Sequence, residues 1–150
     1  MNAYVLKHED KNNLIPFTTL IESFKKAGKP YYLTDKDTES TKAALGCSIY
    51  VIEVTTENKR KIYKLGYKFK STEKTNNDGE HKQYKITVLS GEPIEGCYFE
   101  APVLITNNEL DSWIRTPSAQ GLRILSDENL VNELEKIISA NVAIQFTNAP

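Results

Sequence analysis

The stretch "KPYYLTDKDTESTKAALGCSIYVIEV" sets Tyr31, Tyr32 and Thr34 ahead of a polar run and a strongly apolar strand. Aromatic rings beside a hydroxyl and a polar loop serve either as ordinary packing or as the rim of a pocket that grips a flat ligand. Neighbours in one strand point to opposite faces of the sheet. At most one of the two tyrosines therefore lines such a pocket, and the other joins the core.

Charge gives a second lead. Residues 57–85 hold nine basic side chains (Lys59, Arg60, Lys61, Lys64, Lys68, Lys70, Lys74, Lys82, Lys85) and four acidic ones (Glu57, Glu73, Asp78, Glu80). The segment carries +5 in a chain of net charge −1, which leaves −6 for the rest. A local basic surface suits a polyanion such as nucleic acid. The alternative is a solvated hairpin whose lysines guard an edge strand.

The usual catalytic signatures are missing. No GxxxxGK[ST], GxGxxG or GxSxG occurs, which removes the local signal for phosphate loops, dinucleotide folds and nucleophile elbows. Neither His8 nor His81 has a local partner that marks a triad. Cys47 and Cys97 share no metal-ligand spacing with them, so no metal and no cofactor is expected, and both cysteines read as small thiols.

At 150 residues the chain fits one domain, 1–150, large enough to fold without disulfides or metal. Its 39% apolar and 26% charged residues are those of a soluble globular protein. No apolar run reaches the roughly 18 residues of a membrane span. "MNAYVLKHEDKNNL" has early charges and no apolar signal core, so a cytoplasmic location is expected.

The elements that must position these groups follow from periodicity. "AYVLK" is a first strand. "IPFTTLIESFKKAGKP" is a helix: Phe17, Leu20, Ile21 and Phe24 form one stripe, Pro16 suits the first turn, Lys25 and Lys26 the last, and Gly28 the stop. "PYYLT" is a strand, "DKDTESTKAAL" a loop with at most a helical turn, and "CSIYVIEVTT" a secure strand. "ENKR" is a turn. In "KIYKLGYKFKS" the apolar alternation slips at Gly66, as at a bulge or a close backbone approach. "TEKTNNDGEH" reads as a hairpin tip, then "KQYKITVLS" and "CYFEAPVLI" as strands. "TNNELDSWIR" is a short helix capped by Asn107 or Asn108, "LRIL" a strand, and "SDENLVNELEKIISAN" a helix capped by Ser126 with Leu130, Leu134, Ile137 and Ile138 buried. "VAIQFTNAP" is either a last strand or frayed. The order predicts an α+β fold: a mostly antiparallel twisted sheet or partly open barrel with two to three flanking helices.

The run from "AYVLK" through the first helix to "LGCSIYVI" resembles the front half of a PUA-like domain, closest to the EVE and YTH branches. "WIRTPSAQGLRILSDENLVNELEKII" is similar to their ending, in which a polar loop leads into a short strand, a capped turn and a last helix. The likeness spans about Ala3 to Ile138, as order and shape more than identity. Tyr31 and Tyr32 stand where those branches carry a tryptophan, and Gly46-Cys47 where they carry Gly-Asp. The resemblance implies a barrel-like fold that binds nucleic acid and grips a modified, extruded base in an aromatic cage. It makes Tyr31, Tyr32 and Trp113 the candidate faces. Thr34, Ser48 and Gln120 become the candidate hydrogen-bond partners, and Lys68, Lys70, Arg115 and Arg123 the candidate phosphate contacts. A flipped base regains about 1–3 kcal/mol by stacking on an aromatic face, and its edge needs fixed polar partners. Each residue also has a plainer role: Trp113 beside Ile114 in the core, Gln120 in a turn, Arg115 and Arg123 paired with acidic neighbours.

Three functions follow as expectations. One is a reader of a modified nucleotide in DNA or RNA, alone or as the specificity subunit of a separate nuclease. Another is a small hydrolase of modified nucleosides, since the ASCH branch of the same superfamily uses a Lys, Thr and Glu set and Lys36, Thr34 and Glu53 are present here. The last is a protein-interaction domain, such as a phage or defence factor, contacting an acidic partner through the lysine-rich hairpin.

Overall fold

A computed structural model describes residues 3–9, 16–27, 30–34, 42–76, 86–89, 95–116 and 122–146. The strands are β1 (Ala3–Glu9), β2 (Tyr31–Thr34), β3 (Ser48–Glu57), β4 (Arg60–Lys70), β5 (Glu73–Asn76), β6 (Ile86–Leu89), β7 (Gly96–Leu104), β8 (Arg123–Leu125) and β9 (Ile144–Gln145). The helices are α1 (Phe17–Ala27), α2 (Asn108–Arg115) and α3 (Glu128–Ala140). Among the described residues, no helix is long and apolar enough to cross a membrane.

Six strands form a mixed, open sheet in the order β8-β1-β3-β4-β7-β9, and three form a smaller sheet, β2-β6-β5. All pairings are antiparallel except β1 with β3. A parallel pair needs a long crossover, and α1 with β2 lies in that connection. The α+β class and the mostly antiparallel sheet agree with the sequence reading, and the last strand exists as β9. Three details differ. Glu73–Asn76, expected at a hairpin tip, is strand β5 paired with β6. The cap of α3 is Asp127, not Ser126: its side chain accepts from the Asn129 N–H at 2.9 Å. The first strand runs on to Glu9.

Both faces of the large sheet are covered. On one, Tyr4, Leu6, Ile49, Val51, Tyr67, Phe69 and Tyr98 pack with Phe17, Leu20, Ile21 and Phe24 of α1. On the other, Val5, Tyr50, Ile52, Tyr63, Leu65 and Phe99 pack with Leu110 and Ile114 of α2 and Leu130 and Leu134 of α3. Gly66 is where β4 changes phase. The register shifts between Leu65 and Tyr67, so Tyr63 and Leu65 face α2 and α3 while Tyr67 and Phe69 face α1. A Cβ at position 66 would overlap the Phe17 ring, which is why the bulge residue is glycine. Gly46 enters β3 with φ +87°, a conformation that favours glycine.

Candidate functional site

Among the described residues, those singled out from the sequence are not brought together in one place. Tyr32 is 6% exposed and belongs to the α1-side core, and Tyr31 packs against that same core. Both tyrosines thus touch one cluster, at opposite ends of α1. Tyr32 meets His8 edge-on at 6.0 Å, and His8 meets Phe17 at 5.4 Å. Tyr31 meets Phe24 edge-on at 5.1 Å and shares a 2.8 Å hydrogen bond with the Ser23 hydroxyl. Trp113 packs against the core on the other side of the sheet. A cage built from Tyr31 and Trp113 together is therefore not formed, because the six-stranded sheet lies between the clusters they pack against. Ser48 opens β3, opposite Ala3 and Lys70. Thr34 ends β2 opposite Ile86. Gln120 and Lys36 lie outside the described residues.

The four expected phosphate contacts have protein partners. Lys68 donates to Glu135 Oε2 at 2.9 Å and lies 5.3 Å from the Tyr50 ring centroid. Tyr50 donates to the same oxygen at 2.5 Å. This polar group adjoins an open depression of about 590 Å³ lined by Asn132, Glu135, Lys136, Ser139 and Ala140. Lys70 pairs with Glu95 at 3.5 Å. Arg115 pairs with Asp111 at 2.6 Å and lies over the Tyr63 ring at 4.8 Å. Arg123 takes no acidic neighbour among the described residues. Its guanidinium lies 3.7 Å from the Trp113 ring centroid and donates to the Trp113 carbonyl at 2.7 Å.

Around the C-terminal turn of α2, Arg115 and Arg123 are joined by a lysine the sequence did not single out. Lys7 of β1 donates to the Ile114 carbonyl at 3.0 Å. Cations at this end complement the helix dipole and satisfy its last carbonyls. They also crowd one another. Burial, then the charges of Arg123 and Lys61, push the Lys7 ammonium below its ordinary value, against the pull of Glu9. Lys61 in turn reaches Glu9 at 3.3 Å. Lys7 thus shares this corner with Arg123, Lys61 and Glu9, the half-buried Trp113 lies under the Arg123 guanidinium, and Arg115, which ends α2, is paired with Asp111. The sequence does not mark Lys7, because the carbonyl it donates to lies 107 residues away and "AYVLK" reads simply as a strand.

A second group lies across the sheet. The Tyr32 hydroxyl is 3.4 Å from His8 Nδ1, and His8 stands opposite Glu53 in the β1–β3 register. Thr34 follows two positions along β2 from Tyr32. No family model matches the chain, and no curated protein matches it in sequence.

Proposed function

We propose that this protein is a nucleic-acid-binding module that meets its ligand at the Trp113 corner. The observation that carries the reading is the Arg123 guanidinium lying over Trp113 at the end of α2, with the Lys7 ammonium on the neighbouring Ile114 carbonyl and Lys61 close enough to repel it. Excess positive charge in one place draws a polyanion, and a flat aromatic face holds a base. The PUA-like resemblance supports the same class of partner and adds a modified base as the preferred ligand. With the aromatic residues divided between two faces, that base is taken against Trp113 and not between Trp113 and Tyr31. A separate nuclease is the protein partner this role would serve.

Short DNA and RNA strands, single and double, plain or carrying 5-methylcytosine, 5-hydroxymethylcytosine or N6-methyladenine, test this by fluorescence anisotropy at two salt concentrations. Affinity is expected to fall as salt rises. Lys7→Ala and Arg123→Ala should each weaken binding uniformly and reduce the salt slope by about 1. Absence of binding at low salt on every strand removes the reading, and tighter binding to one modified strand names the base.

A modified-nucleoside hydrolase is the second reading. It is favoured by the approach of Tyr32 to His8 and by His8 standing opposite Glu53. Turnover of a modified nucleoside that disappears in Glu53→Gln would support it.

A further inference from the structure

The hairpin between β3 and β4 reaches past the rest of its sheet. β1 pairs with β3 only as far as Val54, and β7 pairs with β4 only from Lys64. Among the described residues, the pairs Thr55–Ile62, Thr56–Lys61 and Glu57–Arg60 have no third strand beside them. Thr55, whose hydroxyl is buried, and the half-buried Ile62 form the base of this stretch, and at about 3.4 Å per residue the two outer pairs carry a two-stranded ribbon roughly 7 Å beyond it. Asn58 and Lys59 close it with φ of 51° and 65°. Positive φ at both central residues is the mark of a type I′ turn, whose twist matches that of the strands it joins. Residues 56–61 are all exposed, and they include Lys59, Arg60 and Lys61 against Glu57 alone. Through Lys61, which pairs at 3.3 Å with Glu9 of β1, the ribbon adjoins the strand that carries Lys7.

We infer that this ribbon is a groove-entering arm and that the module's ligand is a B-form DNA duplex. The inference rests on the nucleic-acid reading above and narrows it. The major groove of B-form DNA, about 12 Å wide and about 8.5 Å deep, admits a two-stranded ribbon. The major groove of duplex RNA is too deep and narrow to be read, and a single strand offers no groove. Lys59 and Arg60 at the tip enter the groove, while Lys7, Lys61, Arg115 and Arg123 face the phosphates beside it.

One sequence prepared as duplex DNA, duplex RNA and single-stranded DNA is titrated by anisotropy with the wild-type chain and with the K59A/R60A double variant. Both residues are exposed, and circular dichroism checks that the variant folds. The wild type is expected to prefer duplex DNA by about tenfold or more, and the variant to lose about tenfold on it while single-strand binding stays nearly unchanged. Dimethyl sulfate footprinting adds a groove-specific readout. Guanine N7, in the major groove, should be protected by the wild type and exposed again with the variant, while adenine N3, in the minor groove, stays open. Unchanged duplex affinity in the variant, protection of adenine N3 in place of guanine N7, or a preference for single strands or duplex RNA overturns the arm. Failure of the wild type to bind any strand removes the nucleic-acid reading itself, and the arm with it.

Discussion

Lys68, a candidate phosphate contact, is paired with Glu135. Two donors, Tyr50 and Lys68, converge on Glu135 Oε2. Burial pushes the Glu135 carboxyl up, but these hydrogen bonds and the Lys68 charge outweigh it and hold the group below its ordinary 4.5. Burial, then the bond to Glu135, pushes the Tyr50 hydroxyl far up, so it remains a donor. A carboxyl whose folded pKa is depressed adds stability above its unfolded pKa and loses it as pH falls through the folded value. Glu135→Gln should therefore lower the unfolding free energy near pH 7 by on the order of 1 kcal/mol, with solvent screening of the partly exposed pair allowed for. The gap to the wild type should narrow as pH falls below 4.5. Urea midpoints for both proteins at about pH 7 and about pH 3 measure it. A gap of constant size would mean that the glutamate acts through packing and not through its charge. Arg115 shows the same logic: its partner Asp111 is one helical turn away, a spacing visible in the sequence.

Among the elements, α3 offers the sharpest test, because two good caps lie side by side. Asp127 has extended φ and ψ of −77° and 107° and accepts from Asn129. Replacing a capping side chain by alanine costs about 1 kcal/mol. Asp127→Ala should lose that much in chemical denaturation and Ser126→Ala close to nothing; the reverse order would return the cap to Ser126. Elements set by local periodicity were legible in the sequence. The stripe Phe17, Leu20, Ile21, Phe24 is all buried, and the slip at Gly66 is a true register shift. Such signals need only neighbours a few residues apart. Glu73–Asn76 was not legible as a strand, because its polar composition resembles a turn and the backbone ladder to β6 asks nothing of its side chains. The parallel pairing of β1 with β3 was hidden for a related reason. An alternating pattern says which face a residue takes, not which strand lies beside it or in which direction.

Across the whole molecule, the covered sheet decides which candidate residues can act together. Composition pointed to aromatic faces and cations, but the assignment of Tyr31 to the α1 side and Trp113 to the α2 side depends on long-range packing. The approach of Lys7 to Ile114, 107 positions apart, depends on it too. The division makes a prediction about the two aromatic residues. With the ligand at the α2 corner, Trp113→Leu should weaken binding by about 1–3 kcal/mol, the worth of one stacked base. Tyr31→Leu loses the hydrogen bond to Ser23 and the edge contact with Phe24. It should lower the unfolding midpoint while leaving affinity, measured well below that midpoint, nearly unchanged. Trp113 is the sole tryptophan, so its emission reports directly on this corner and should shift on titration in the wild type and in Tyr31→Leu alike. Loss of binding in Tyr31→Leu with none in Trp113→Leu, and a silent tryptophan, would move the interface across the sheet, to the face where Tyr32 meets His8.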